Sequence, residues 1–148
     1  ARAAYEYLTD VRRIDPAQLV VFGRSLGAAV AGQIAGERKI AGLILESAFP
    51  SVAAMAKSQF NGLPAHWLLS SRFPLIERMK SIHVPLLMIH GDQDTIVPFP
   101  LGEQVFQAAS NPKSFYVVKG ADHNNLPFVG GAPYFSKLKQ FIETVTGL

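Results

Sequence analysis

Apolar residues in this chain gather in short unbroken runs rather than alternating with polar ones. Leu19–Gly23, Ile40–Leu45, Val84–His90 and Ser114–Val118 are rich in Val, Ile, Leu or Phe and bounded by Gly or Pro. Runs of this kind read as strands buried on both faces, hence as a parallel sheet. Between them the apolar spacing turns helical. Ala1 to about Thr9 reads as a helix, and small residues at Ala28, Ala31, Gly32 and Ala35 mark one that can approach a sheet closely. Leu101, Val105 and Phe106 mark another, ended by Asn111-Pro112. Tyr134, Phe135, Leu138, Phe141, Ile142 and Val145 mark the last, with Pro133 near its first turn. Strand and helix in repeated order predict an α/β doubly wound parallel sheet. Pro50 to Ile82 departs from the rhythm: short helical pieces and turns carry Phe60, Trp67, Leu68, Leu69 and Phe73. No internal repeat and no low-complexity segment interrupts the pattern.

Composition narrows the classes. At 148 residues with 49% hydrophobic side chains, the chain has the size and core of one globular domain. The net charge of +3 comes from scattered basic residues (Arg12, Arg13, Arg38, Lys39, Arg72, Lys137, Lys139) without an aromatic-laced stripe, which argues against a nucleic-acid surface. The absence of cysteine excludes disulfides and thiolate metal sites. No run reaches the ~18 apolar residues of a membrane span, so no anchor is visible, and nothing assigns a compartment.

The candidate chemistry lies where the runs end. Ligands of parallel α/β sheets bind outside the carboxyl ends of the strands. Ser25 follows the first run, Glu46 and Ser47 the second, Asp92 and Asp94 the third, and His123 the fourth. Ser25 sits in Gly-Arg-Ser-Leu-Gly (Gly23–Gly27), where a strand becomes a helix. A Gly-x-Ser-x-Gly pentapeptide arises by chance in about one chain of this length in twenty, taking Gly and Ser at ~7% of residues. The motif therefore needs company. A serine hydroxyl is a weak nucleophile that requires a base, and the base requires a partner to fix its tautomer. The order Ser…Asp…His supplies all three roles. Asp92, directly after Gly91, reads as a turn cap, and Asp122 adjoins His123, where neighbouring side chains diverge. Glu46 stays open as a competing acid, because its strand end is also within reach of a histidine. His66, His83 and His90 have no chemical company and read as structural or exposed.

"GRSLGAA", "HGDQDTIVP" and "GADHNN" resemble the nucleophile, acid and histidine motifs of the α/β-hydrolase fold, closest to the Bem46-like serine hydrolases and their ABHD-type relatives. The resemblance runs from Ala1 to Leu148 but covers only the C-terminal part of that family's domain. It implies Ser25 as nucleophile, Asp94 as acid and His123 as base. It also implies a small helical cap inserted within residues 50–83 of a single domain spanning 1–148.

On this reading Ser25 attacks a carbonyl carbon while the backbone N–H of Leu26 holds the oxyanion. An acyl-enzyme forms and water releases it, with no metal and no organic cofactor. The expected substrate is a small acyl compound, an ester or thioester. Phe60, Trp67 and Phe73 would line its pocket and favour an apolar acyl group. The second oxyanion donor of this fold comes from a loop after an earlier strand, which this sequence lacks. The chain is therefore expected to be a fragment whose uncovered sheet edge favours self-association. Two rival classes remain. One is a non-catalytic or truncated hydrolase-like binding module. The other is a nucleotide-binding domain reading "GRSLGA" as a phosphate loop, though it lacks both Gly-x-Gly-x-x-Gly and Gly-Lys-Ser/Thr.

Overall fold

The computed structural model describes residues 1–59 and 74–148. Four strands, β1 (Val20–Arg24), β2 (Gly42–Glu46), β3 (Leu86–Gly91) and β4 (Lys113–Val118), lie in the order β1-β2-β3-β4 and pair in parallel throughout. The register sets Arg24 beside Glu46 and Glu46 beside Ile89, so β1 and β2 end level while β3 runs on to Gly91. Parallel neighbours need a crossover between them, and right-handed crossovers taken in one direction fall on one face. On that face lie α2 (Leu26–Glu37), α4 (Leu75–Met79) and α5 (Phe99–Ala108). The last helix, α6 (Leu126–Thr146), covers the other face.

The period of two along each strand divides the core between these layers. Leu43, Leu45, Leu86 and Met88 pack with Ala28, Ala31, Leu75, Met79 and Val105. Ile44, Leu87 and Ile89 pack with Leu126 and Tyr134, and Leu138 and Phe141 border them. The small-residue stripe of α2 does what its sequence suggests. Gly32 faces Leu75, where an added Cβ would come within 2.5 Å of Cδ1.

The strands fall close to the expected runs, with physical reasons at the boundaries. β3 begins at Leu86 because Pro85 has no N–H to give the ladder, although its carbonyl accepts from Leu43 N at 2.9 Å. The first helix comprises α1 (Arg2–Glu6) and a wider turn (Tyr7–Val11), in which Arg12 N bonds the Tyr7 carbonyl at 2.9 Å. The last helix starts at Leu126, before the expected Tyr134. Gly131, at φ 50°, breaks it in two, and Pro133 stands in the first turn of the second segment. Within residues 50–83, the described parts include α3 (Val52–Gln59), capped by Ser51 Oγ accepting from Ala54 N at 3.1 Å, and α4. Leu75, Met79 and Ile82 belong to the core under α2. Among the described residues β1 has one sheet neighbour, β2, and its Phe22 is 46% exposed.

Candidate active site

Ser25 is the single residue between the end of β1 and the start of α2. Turning a strand into a helix in one step requires backbone angles outside the ordinary regions, and Ser25 takes φ 53°, ψ −123°. Such a conformation costs a non-glycine residue about 1–3 kcal/mol and persists only where its surroundings enforce it. They do so on both sides. Ser25 N donates to the Glu46 carbonyl at 2.9 Å, and Ala28 N donates to the Ser25 carbonyl at 3.0 Å. The reason for the first glycine is steric. A Cβ at Gly23 would lie 2.5 Å from Ala31 Cβ and 2.5 Å from the Gly27 carbonyl oxygen, so only glycine lets α2 fold back this tightly. Gly27 differs: among the described residues nothing lies within 4 Å of a Cβ placed there.

Asp94 occupies the loop after β3 and is nine-tenths buried. Its Oδ1 accepts from Ile96 N at 3.0 Å and Val97 N at 2.7 Å, which fixes the plane of the carboxylate. Its Oδ2 meets His123 Nδ1 at 2.8 Å, so Nδ1 carries the proton and Nε2 is left as the basic nitrogen. The structure thus pairs His123 with Asp94, and Glu46 is engaged elsewhere. Glu46 receives Arg24 Nε at 3.0 Å on Oε1 and the Tyr134 hydroxyl on Oε2. Burial, then the bond to Glu46, pushes the Tyr134 hydroxyl well above its ordinary pKa. Asp92, read as the cap of the turn after Gly91, instead accepts from Gly120 N at 2.6 Å in the turn that follows β4. Asp122 does turn away from the His123 ring, but to a purpose. It accepts from Thr95 N at 2.8 Å and Thr95 Oγ1 at 3.0 Å, tying the histidine loop to the acid loop. These backbone and hydroxyl donors, with His123 N, hold its carboxyl below the usual range.

The reading of His90 needs correction, since its imidazole is fully buried beside the acid. Nε2 bonds the Val97 carbonyl at 2.9 Å and lies 3.5 Å from the same Asp94 Oδ2 that binds His123. Burial lowers its pKa, which keeps the ring neutral. A Cβ at Gly102 would lie 2.3 Å from His90 Nδ1, so α5 approaches the imidazole through a glycine. The signal was present in the sequence as His90 and Asp94 four residues apart after a buried run. It was missed because nothing in the sequence shows that the loop folds back over the strand end. His83 has no such surroundings, and His66 lies outside the described residues. So do Phe60, Trp67 and Phe73, expected to line the pocket. Among the described residues no group of three or more His, Cys, Asp or Glu is placed to hold a metal ion, and no helix is long and apolar enough to cross a membrane.

A parallel sheet with a strained serine between strand and helix, and a buried carboxylate–histidine pair at the same edge, defines an α/β hydrolase. The chain belongs, more particularly, to the prolyl oligopeptidase family, whose sequence profile matches residues 2–126. It is 41% identical over 142 residues to an uncharacterized protein of Mycobacterium tuberculosis, covering 96% of this chain and 50% of that one. It is 30% identical over 141 residues to the human alpha/beta hydrolase domain-containing protein 17B, covering 95% of this chain and 47% of that protein. The chain thus spans about half the length of the curated relatives it matches. Among solved structures, an esterase from Pyrococcus furiosus superposes with a TM-score of 0.78 at 20% identity, over 98% of this chain and 60% of that one. The esterase domain of a Rhodothermus marinus protein superposes with a TM-score of 0.70 at 22% identity, over 95% and 67% of the two chains. At these identities the structural likeness speaks for the fold.

Proposed function

We propose that this hydrolase cleaves an ester or thioester through an acyl-enzyme, with Ser25 as nucleophile, His123 as general base and Asp94 as the acid that orients it. The observation that carries the reading is the strained turn of Ser25 at the strand edge that also bears the Asp94–His123 pair. A serine that stays partly exposed on such a turn is suited to presenting its hydroxyl to a substrate.

The chemistry follows from the tautomer. With Nδ1–H held by Asp94, His123 Nε2 accepts the Ser25 proton as Oγ forms its bond to the carbonyl carbon. Asp94 stabilises the imidazolium without taking the proton. The oxyanion meets the N–H of Leu26 at the start of α2, where first-turn amides have no helical partner and the helix dipole is positive. Imidazolium then gives its proton to the departing alkoxide or thiolate as the carbonyl reforms and the C–O or C–S bond breaks. Water, deprotonated by the same nitrogen, attacks the acyl carbon and restores Ser25.

The test is covalent labelling of the full natural chain with a fluorophosphonate, followed by mass spectrometry of the adduct. Hydrolysis is assayed alongside on p-nitrophenyl esters of increasing acyl length, a thioester, and a peptide p-nitroanilide. An adduct on Ser25, lost in Ser25→Ala together with ester turnover, is expected. A folded protein that takes no label and hydrolyses no ester would instead be a binding module. Turnover confined to the anilide would move the reaction to peptide bonds.

A further inference from the structure

Glu46 is a buried acid, at 2% exposure, and the proposed reaction does not use it. A buried carboxylate is retained only where partners satisfy it. Here Arg24 Nε holds Oε1 and the Tyr134 hydroxyl holds Oε2, which aligns the carboxylate between β1 and α6. The guanidinium continues past this pair. Its Nη2 donates to the backbone carbonyl of His123 and, at 2.9 Å, to Asn124 Oδ1. The donors of a guanidinium sit in a rigid planar fork, so fixing Nε on Glu46 also fixes where Nη2 can meet the histidine loop.

The place of Arg24 in the chain gives this contact a consequence. Its backbone lies in β1, in register with Glu46, and the next residue is Ser25. The base loop is therefore gauged from the strand end that carries the nucleophile. The bonds from Thr95 to Asp122 and from Gln93 N to the Ala121 carbonyl gauge it from the acid loop instead. His123 could keep Asp94 and still sit at the wrong height over Ser25 if Arg24 were absent.

We propose that Arg24, oriented by Glu46 and Tyr134, is a positioning residue that sets the His123 loop relative to Ser25. This rests on the assignment of Ser25, Asp94 and His123 above. The experiment uses the full natural chain and its Arg24→Met, Arg24→Lys and Tyr134→Phe variants. Each is followed by p-nitrophenyl butyrate kinetics, the rate of fluorophosphonate labelling, and thermal melting. A base displaced by ~1 Å predicts kcat and labelling rate down by about 10²-fold in Arg24→Met, with KM within about threefold of the parent. Arg24→Lys should not rescue, since an ammonium cannot hold Glu46 and the His123 carbonyl at one fixed spacing. Full recovery in Arg24→Lys would reduce the role to charge and overturn the proposal. Parent kcat in Arg24→Met, with only the melting temperature lowered, would overturn it as well. Should Arg24→Met fail to fold, Tyr134→Phe decides: freeing one Glu46 oxygen should lower kcat severalfold, and an unchanged kcat refutes the linkage. A parent protein that takes no label at Ser25 defeats the underlying assignment. A labelled parent with equally labelled variants defeats only the role of Arg24.

Discussion

Gly23→Ala tests the account of the serine turn most directly. The added methyl would sit 2.5 Å from Ala31 Cβ, 2.5 Å from the Gly27 carbonyl oxygen and 2.9 Å from Ala28 Cα. Carbon atoms at rest stand ~3.5–4.0 Å apart, so α2 must lift from β1 by about 1 Å. No rotamer relieves this, because two of the three obstacles are backbone atoms. Overpacking of this kind costs about 1–3 kcal/mol, and the rigid neighbours favour the upper end. For a chain near 150 residues that is a fall of roughly 2–4 °C in Tm per kcal/mol, or about 6–12 °C at ~3 kcal/mol. The same displacement carries the Leu26 N–H and Ser25 with it, so fluorophosphonate labelling should slow by ~10²-fold at a temperature where the variant remains folded. Gly27→Ala is the control. It meets nothing within 4 Å among the described residues, and helix propensity favours alanine by about 0.5–1 kcal/mol, so its Tm should hold or rise slightly. Differential scanning calorimetry and labelling time courses on both variants give the answer. Parent-like behaviour of Gly23→Ala would refute the claim that close approach of α2 forces the turn.

Two further outcomes follow from burial and exposure. His90 has a pKa lowered by burial, so below the ordinary imidazole value near pH 6.5 the unfolded chain binds a proton that the folded chain refuses. Stability should therefore fall as pH drops from about 6.5 toward the depressed folded value, by up to ~1.4 kcal/mol per unit. His90→Gln, which keeps a donor for Val97, should flatten that fall in Tm between pH 7 and 5, and an unchanged slope would show that His90 takes no part in it. The second concerns β1, whose outer edge has no strand partner among the described residues and whose Phe22 is half exposed. The 148-residue chain made alone should elute as multimers on size exclusion, and Phe22→Lys should reduce them; a monomer before and after the change would refute association through this edge.

How legible all this was in the sequence depended on how local each cause was. The strands showed because burial on both faces removes polar residues from a run, as in Leu86–Ile89, whatever lies next to it. The order Ser25, Asp94, His123 showed because a parallel sheet delivers successive strand ends to one edge. The choice of Asp94 over Glu46 is different in kind. It depends on which carboxylate the His123 ring meets, a contact between residues 29 apart that no periodicity records. The first segment of α6 was hidden for a local reason: the helical apolar spacing becomes continuous only from Tyr134, after the kink at Gly131, and the turns before it lie outside that pattern.

His90 and Arg24 together explain why the supports of the proposed site were harder to see than its candidate reacting groups. A nucleophile, an acid and a base announce themselves by residue type, since few side chains can do their chemistry. A support needs only a donor at the right point, and an imidazole, a guanidinium or a backbone amide can each provide one. Here the supports run between loops. Asp122 joins the histidine loop to the acid loop through Thr95, Arg24 joins it to β1, and His90 lies against the acid from within the core. Each loop is thus held by atoms belonging to another strand's end. Such mutual restraint lets a site built on connections keep the geometry that catalysis requires of rigid elements. It also means that the sequence signal for each support is split between two distant segments, neither of which is unusual alone.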